Sequence, residues 1–108
     1  MKVGHKEIAT DAEGFLRHLD DWDKTIANKV AENEGITLTE DHWKVIDFLR
    51  QFYRDYKITP AVRIVVKELT KRWGAEKGNS IYLHQLFPGG VIKQASKIAG
   101  LPKPKRCI

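Results

Sequence analysis

The chain has 108 residues, 42% hydrophobic and 31% charged, which suits one domain with one core and excludes global disorder. The formal charge of +5 and the pI of about 9.4 favour acidic partners, either a protein surface or nucleic acid, with plain solubility as the bland alternative. Apolar runs such as Ile64-Val65-Val66 fall far short of the ~20 residues that span a bilayer, and the N-terminus lacks the apolar stretch of a signal peptide, so no membrane contact and a cytoplasmic location are expected.

Residues 2–10 alternate around Gly4 and lead to a turn at Gly14, which predicts a small N-terminal strand pair or meander. The first helix is expected from Asp20 or Asp21 to about Glu34, with Trp22, Ile26 and Val30 on one stripe and Gly35 as its stop. Thr39, followed by Glu40 and Asp41, marks the start of a second helix. Its wide apolar face, from Trp43 through Phe52 to Tyr56, predicts a buried, central element. Thr59 and Pro60 are placed to cap and open a third helix. Val62, Val65, Val66, Leu69 and Trp73 form its stripe, and Gly74 closes it. Short helices are expected over 81–87 and 91–99, separated by Pro88-Gly89-Gly90 and stopped by Gly100. The tail, Leu101 to Ile108, carries Pro102 and Pro104 and reads as an extended arm. Residues 1–100 thus form the expected globular domain and 101–108 the arm.

Charge is asymmetric along the chain. The first 47 residues hold many acids, whereas Ile92 to the end holds Lys93, Lys97, Lys103, Lys105 and Arg106 and no acid. The single cysteine excludes an intramolecular disulfide and a multi-cysteine metal site. The four histidines lack metal-ligand spacing, so neither metal nor cofactor is expected.

Cys107 is the residue with the clearest chemistry. An ordinary thiol is roughly 7% thiolate at about pH 7.4. The neighbouring cations Lys105 and Arg106 lower its pKa modestly, because water screens them. A thiol on an arm, without a base or an oxyanion hole, suits a carrier rather than a hydrolase. Sulfane sulfur moves when a thiolate attacks the outer sulfur of a persulfide. An incidental terminal cysteine is the bland alternative. A second constellation, the two helices joined at "KITP", has the outline of a helix-turn-helix with Arg63, Lys67, Lys71 and Arg72 on its polar face, which would make the chain a nucleic-acid-binding regulator. A third, Tyr82 with His84, reads as packing and surface residues in preference to an active site.

The segments "ENEGITLTEDHWKVIDFLRQFY", "TPAVRIVVK", "EKGNSIYLHQLFPGG" and "KQASKIAGLPKPKRCI" together resemble the TusE/DsrC family from about Glu7 to Ile108. The resemblance implies an α+β fold: a small N-terminal antiparallel β meander packed on a predominantly helical array, with a flexible C-terminal arm. It implies that Cys107 matches the penultimate, sulfur-accepting cysteine. Two-cysteine DsrC members, partners of dissimilatory sulfite reductase, carry a second cysteine at the position of Ser96. The resemblance is therefore to the single-cysteine TusE branch. It implies a sulfurtransferase that takes sulfur from TusD in a TusBCD complex and delivers it, with an MnmA-type thiouridylase and tRNA, toward 2-thiolation of the wobble uridine. Lys103, Lys105 and Arg106 are assigned to docking the arm and favouring the thiolate. Arg63 is assigned an anionic contact on the globular surface, with a structural ion pair as the alternative.

Overall fold

The computed structural model of the chain describes residues 1–76 and 78–104. Two short strands, β1 (Lys2–Val3) and β2 (Lys6–Glu7), pair antiparallel across Gly4. A single bridge between Thr10 and Leu16 continues the irregular sheet-like segment. A 3-10 turn over Leu19–Asp21 follows. Five helices complete the described chain: α1 (Lys24–Asn33), α2 (Glu40–Tyr56), α3 (Val62–Trp73), α4 (Ser80–Leu86) and α5 (Val91–Ile98). None of them is long and apolar enough to cross a membrane. The α+β class holds, with a two-stranded hairpin as its β part.

Two helix starts differ from the sequence reading. Asp23 caps α1 by accepting the Ile26 N–H at 2.9 Å, so the helix begins later than Asp20 or Asp21. Trp22 consequently lies outside it. Ala61, not Thr59, is the N-cap of α3, and Pro60 precedes the helix. Thr39 caps α2 as expected, but through an unusual partner. The Nδ1 atom of His42 accepts the Thr39 backbone N–H at 3.0 Å and lies 2.8 Å from the Thr39 hydroxyl. Its Nε2 is 2.8 Å from the Leu86 carbonyl. An accepting Nδ1 requires the proton on Nε2, so this buried ring ties the start of α2 to the end of α4.

The most enclosed helix is α5, where the sequence pointed to the second helix. Every residue from Val91 to Ile98 except Lys93 is buried, and α5 packs against α1, α2 and α4. The small residues Ala95, Ser96, Ala99 and Gly100 allow this close approach. In α2, by contrast, Val45, Ile46, Phe48 and Leu49 are buried but the last turn emerges, leaving Tyr56 exposed.

Candidate functional site

The described part of the tail leaves the domain at the C-terminal end of α5, and that end is closed completely. A helix leaves its last carbonyls without partners inside the helix. Here Leu101 N–H donates to Ser96 O at 3.0 Å and Gly100 N–H to Lys97 O at 3.2 Å, the paired bonds of a Schellman ending. The Trp22 indole N–H donates to Ile98 O at 2.8 Å. Arg50 Nη1, reaching over from α2, donates to Ala99 O at 2.7 Å. The Arg50 guanidinium lies 3.8 Å above the centre of the Trp22 ring, a cation–π stack that fixes both donors. Burial pushes the Arg50 pKa below its ordinary value; Arg54 adds to the push and Asp47 opposes it. Arginine nevertheless stays charged, and a cation at a helix C-terminus meets the favourable end of the dipole.

Gly100 is required twice in this clamp. Its φ is +72°, and a Cβ placed there would stand 2.3 Å from Trp22 Cδ1. Leu101 is buried beyond it, and the chain then passes through Pro102, Lys103 and Pro104 without regular structure.

Lys103, one of the expected docking cations, is exposed and forms an ion pair with Glu13. Lys93 reaches the same carboxylate at 3.5 Å. The loop presenting Glu13 is shaped by Asp11, whose side chain accepts the N–H groups of Glu13 at 2.9 Å and Phe15 at 3.0 Å. Burial alone would raise the Asp11 pKa, but the backbone donors of Phe15, Glu13 and Gly14 outweigh it and hold the carboxyl below its ordinary range. Glu13 is also held low, first by the hydrogen bond from Lys103, against desolvation and with both lysine charges assisting. Beside this loop lies a cleft of about 120 Å³ whose lining includes Glu13, Glu34, Lys97 and Met1. Lys97 is buried, 3.4 Å from Glu34 and 5.3 Å from the centre of the Phe15 ring. The arm's root is thus flanked by Lys93, Lys97 and Lys103, two of them tied to Glu13.

Ser96 is fully buried one turn before the root, and its hydroxyl has no hydrogen-bond partner among the described residues. Arg63 is exposed in the first turn of α3 and pairs with no described carboxylate, so the alternative of a structural ion pair is not realised among the described residues. Cys107, Lys105 and Arg106 lie outside the described residues. The Tyr82 hydroxyl donates to Asp41, and His84 Nδ1 sits 2.8 Å from Ser80 O within its own helix; both serve local structure. Of the four basic residues proposed for a recognition helix, Arg72 is drawn onto Glu68 at 3.7 Å and onto the Phe48 ring. Among the described residues no group of three His, Cys, Asp or Glu side chains is placed to hold a metal. Sequence reasoning missed Glu13, Trp22 and Arg50 as determinants of the arm's root.

Comparison with known proteins places this architecture in context. The family model described as "DsrC like protein" matches residues 2–108. A protein named sulfurtransferase TusE from Sodalis glossinidius is 55% identical over 108 residues, covering all of both chains. Sulfurtransferase TusE of Escherichia coli K12 is 52% identical over 103 residues, covering 95% of this chain and 94% of its own. The NMR structure of Allochromatium vinosum DsrC superposes with a TM-score of 0.88 at 48% identity, covering 100% of this chain and 96% of that one.

Proposed function

Because the chain belongs to the DsrC-like protein family, and its relatives are named as sulfurtransferases, we propose that it is a cytoplasmic sulfur-relay protein whose covalent intermediate is a persulfide on Cys107. The thiolate of Cys107 attacks the outer sulfur of a donor persulfide. The donor's S–S bond breaks, its thiolate leaves, and the outer sulfur stays on Cys107. The acceptor's thiolate then attacks that outer sulfur and Cys107 leaves as thiolate, so the net transfer needs no added oxidant or reductant. The donor is TusD within a TusBCD-type complex. The acceptor is an MnmA-type tRNA thiouridylase, and the sulfur ends at C2 of a wobble uridine.

The observation that carries this reading is the full-length identity to relatives named TusE, through the tail that bears Cys107. Two features of this chain support it. The root of the tail is clamped by Trp22 and Arg50, which gives the segment beyond Leu101 a fixed origin. Residue 96 is a buried serine, so a second thiol is absent and the intramolecular disulfide implied for two-cysteine DsrC members cannot form. Lys105 and Arg106 favour the thiolate as nearby cations, and Lys103 anchors the start of the arm on Glu13.

Intact-mass measurement after incubation with a persulfide donor tests the reading. Wild type gains about one sulfur atom (~32 Da), removable by a reductant, and Cys107→Ser gains nothing. A wild-type chain that takes up no sulfur rules the reading out.

A further inference from the structure

The last turn of α2 and the start of α3 form a corner whose surface the fold does not explain. Tyr56, Ile58 and Ile64 are 63%, 60% and 38% exposed, three large apolar side chains within one short stretch of chain. Single exposed apolar residues are ordinary, but three of the five large ones among the described residues fall within this stretch. The Tyr56 ring is held against Phe52 with centroids 4.6 Å apart. Around these residues Lys57, Arg63 and Lys67 are exposed, and none pairs with a carboxylate among the described residues. Lys57 adopts φ +60° and is the only described non-glycine residue with a positive φ. Glycine or asparagine suits such a helix ending better, so the backbone geometry gives no reason for a lysine there.

The corner is rigidly linked to the arm's root. Arg50, which holds Ala99 O at 2.7 Å, stands on α2 with Tyr56 six residues further along the same helix. That is about 9 Å of helix axis. From the buried Leu101, covalent geometry allows the six residues to Cys107 to span at most roughly 20–22 Å. A body seated on the corner therefore has its surface within range of the thiol.

We propose that the α2–α3 corner is the docking surface for the protein that donates sulfur to Cys107, and that the donor's matching surface is an apolar depression with an acidic rim. The proposal rests on the relay reading above and adds to it where the partner sits and what recognises it. The aliphatic Ile58 and Ile64 offer nothing to a phosphate or a base edge, and their burial needs an apolar counterpart. Glu68 is paired with Arg72 and Asp55 lies two residues before Lys57, so the corner carries mixed charge and lacks the uniformly basic face that recruits a polyanion. Unpaired cations around an apolar centre fit a partner whose rim carries the opposite charge.

The test uses two sulfur sources: a purified, sulfur-charged TusBCD-type complex, and glutathione persulfide. Four full-length proteins are compared: wild type, Tyr56→Ser/Ile58→Ser, Lys57→Glu/Arg63→Glu, and the control Ile81→Ser, which removes a side chain 73% exposed on α4. Thermal unfolding confirms that each is folded. If loss of the Phe52 stack lowers the melting temperature of the first variant, Ile58→Ser alone carries the comparison. All four load equally from glutathione persulfide. From the protein donor, both corner variants lose about tenfold or more in kcat/KM, through KM, while Ile81→Ser does not. Added salt lowers the wild-type kcat/KM and has less effect on the charge-reversed variant. Unchanged kcat/KM in the corner variants overturns the docking proposal and leaves the relay reading standing. Failure of wild type to load from glutathione persulfide overturns the relay reading itself. A loss confined to charge reversal, matched by loss of binding to a labelled tRNA transcript, assigns the corner to nucleic acid and also overturns the proposal.

Discussion

Replacing Gly100 by alanine probes the clamp at the arm's root with an internal control. Two helices end in the same Schellman geometry. In α1, Ile36 N–H donates to Ala31 O at 2.8 Å and Gly35 N–H to Glu32 O at 3.0 Å, the same paired bonds that close α5. The glycines have nearly equal φ, +75° at Gly35 and +72° at Gly100. Forcing a β-carbon into the left-handed region costs about 1–2 kcal/mol at either place. Only Gly100 meets a second obstacle. A Cβ at Gly35 has nothing within 4 Å, whereas one at Gly100 lies 2.3, 2.6 and 2.8 Å from three Trp22 side-chain atoms. The indole cannot retreat without losing its bond to Ile98 O and its stack under Arg50. Overpacking of this kind adds about 1–3 kcal/mol. Gly35→Ala is therefore expected to destabilise by about 1.5 kcal/mol and Gly100→Ala by about 3.5 kcal/mol. At roughly 2.1 cal/mol/K per residue, that difference of about 2 kcal/mol separates the two melting temperatures by about 9 °C. Urea unfolding and calorimetry measure it. The double variant Trp22→Ala/Gly100→Ala should recover part of the steric cost, because the obstructing ring is gone. Equal costs at the two glycines, within about 0.5 kcal/mol, refute the reasoning.

Further predictions concern the same region. Arg50→Lys keeps the charge but loses the planar stack and directed fork; it is expected to destabilise by about 1 kcal/mol and Arg50→Ala by about 2 kcal/mol in chemical denaturation, and a lysine variant equal to wild type contradicts the clamp. Ser96→Ala removes a buried hydroxyl without a described partner and is expected to be neutral or to stabilise by up to about 1 kcal/mol; a clear loss in urea unfolding reveals a partner for that hydroxyl. The Glu13 pKa is depressed in the folded chain, so its contribution is present above the ordinary glutamate value near 4.5 and is lost as pH falls through the lower folded value. NMR titration should show the Lys103 signals responding as the Glu13 carboxyl titrates in that acid window, with Glu13→Gln abolishing the response; a Lys103 response that survives Glu13→Gln breaks the link.

Much of the helical array is visible in the residues, because helix starts and stops are local. Thr39, Gly74 and Gly100 act on their own neighbours through backbone geometry and short-range hydrogen bonds, and all three bound helices where expected. Asp20 and Asp21 are caps as good as Asp23, and Thr59 is a better cap than Ala61, so local propensity alone does not select the observed starts. Which helix lies at the centre was also hidden. The wide stripe of α2 outweighs the short α5 in periodicity, yet burial follows from packing on three sides, which small side chains permit. The clamp joins Trp22, Arg50 and the end of α5, positions separated by 76 and 49 residues from their acceptors. No local pattern reports such a contact. The ion pair of Lys103 with Glu13 was hidden for the same reason, although the charge asymmetry between the two ends of the chain hinted that they attract. The residue proposed to carry sulfur, by contrast, follows from chemistry and family resemblance, since the chain has one thiol and its place in the tail is set by the sequence.

The most direct test follows isotopically labelled sulfur through the complete relay. With a labelled TusBCD-type donor, an MnmA-type thiouridylase and unmodified tRNA, wild-type chain should carry label onto tRNA, with labelled persulfide on Cys107 appearing first and decaying as thiolated uridine accumulates. Cys107→Ser should deliver none. Equal delivery by that variant, or labelled tRNA without any sulfur passing through the chain, contradicts the account.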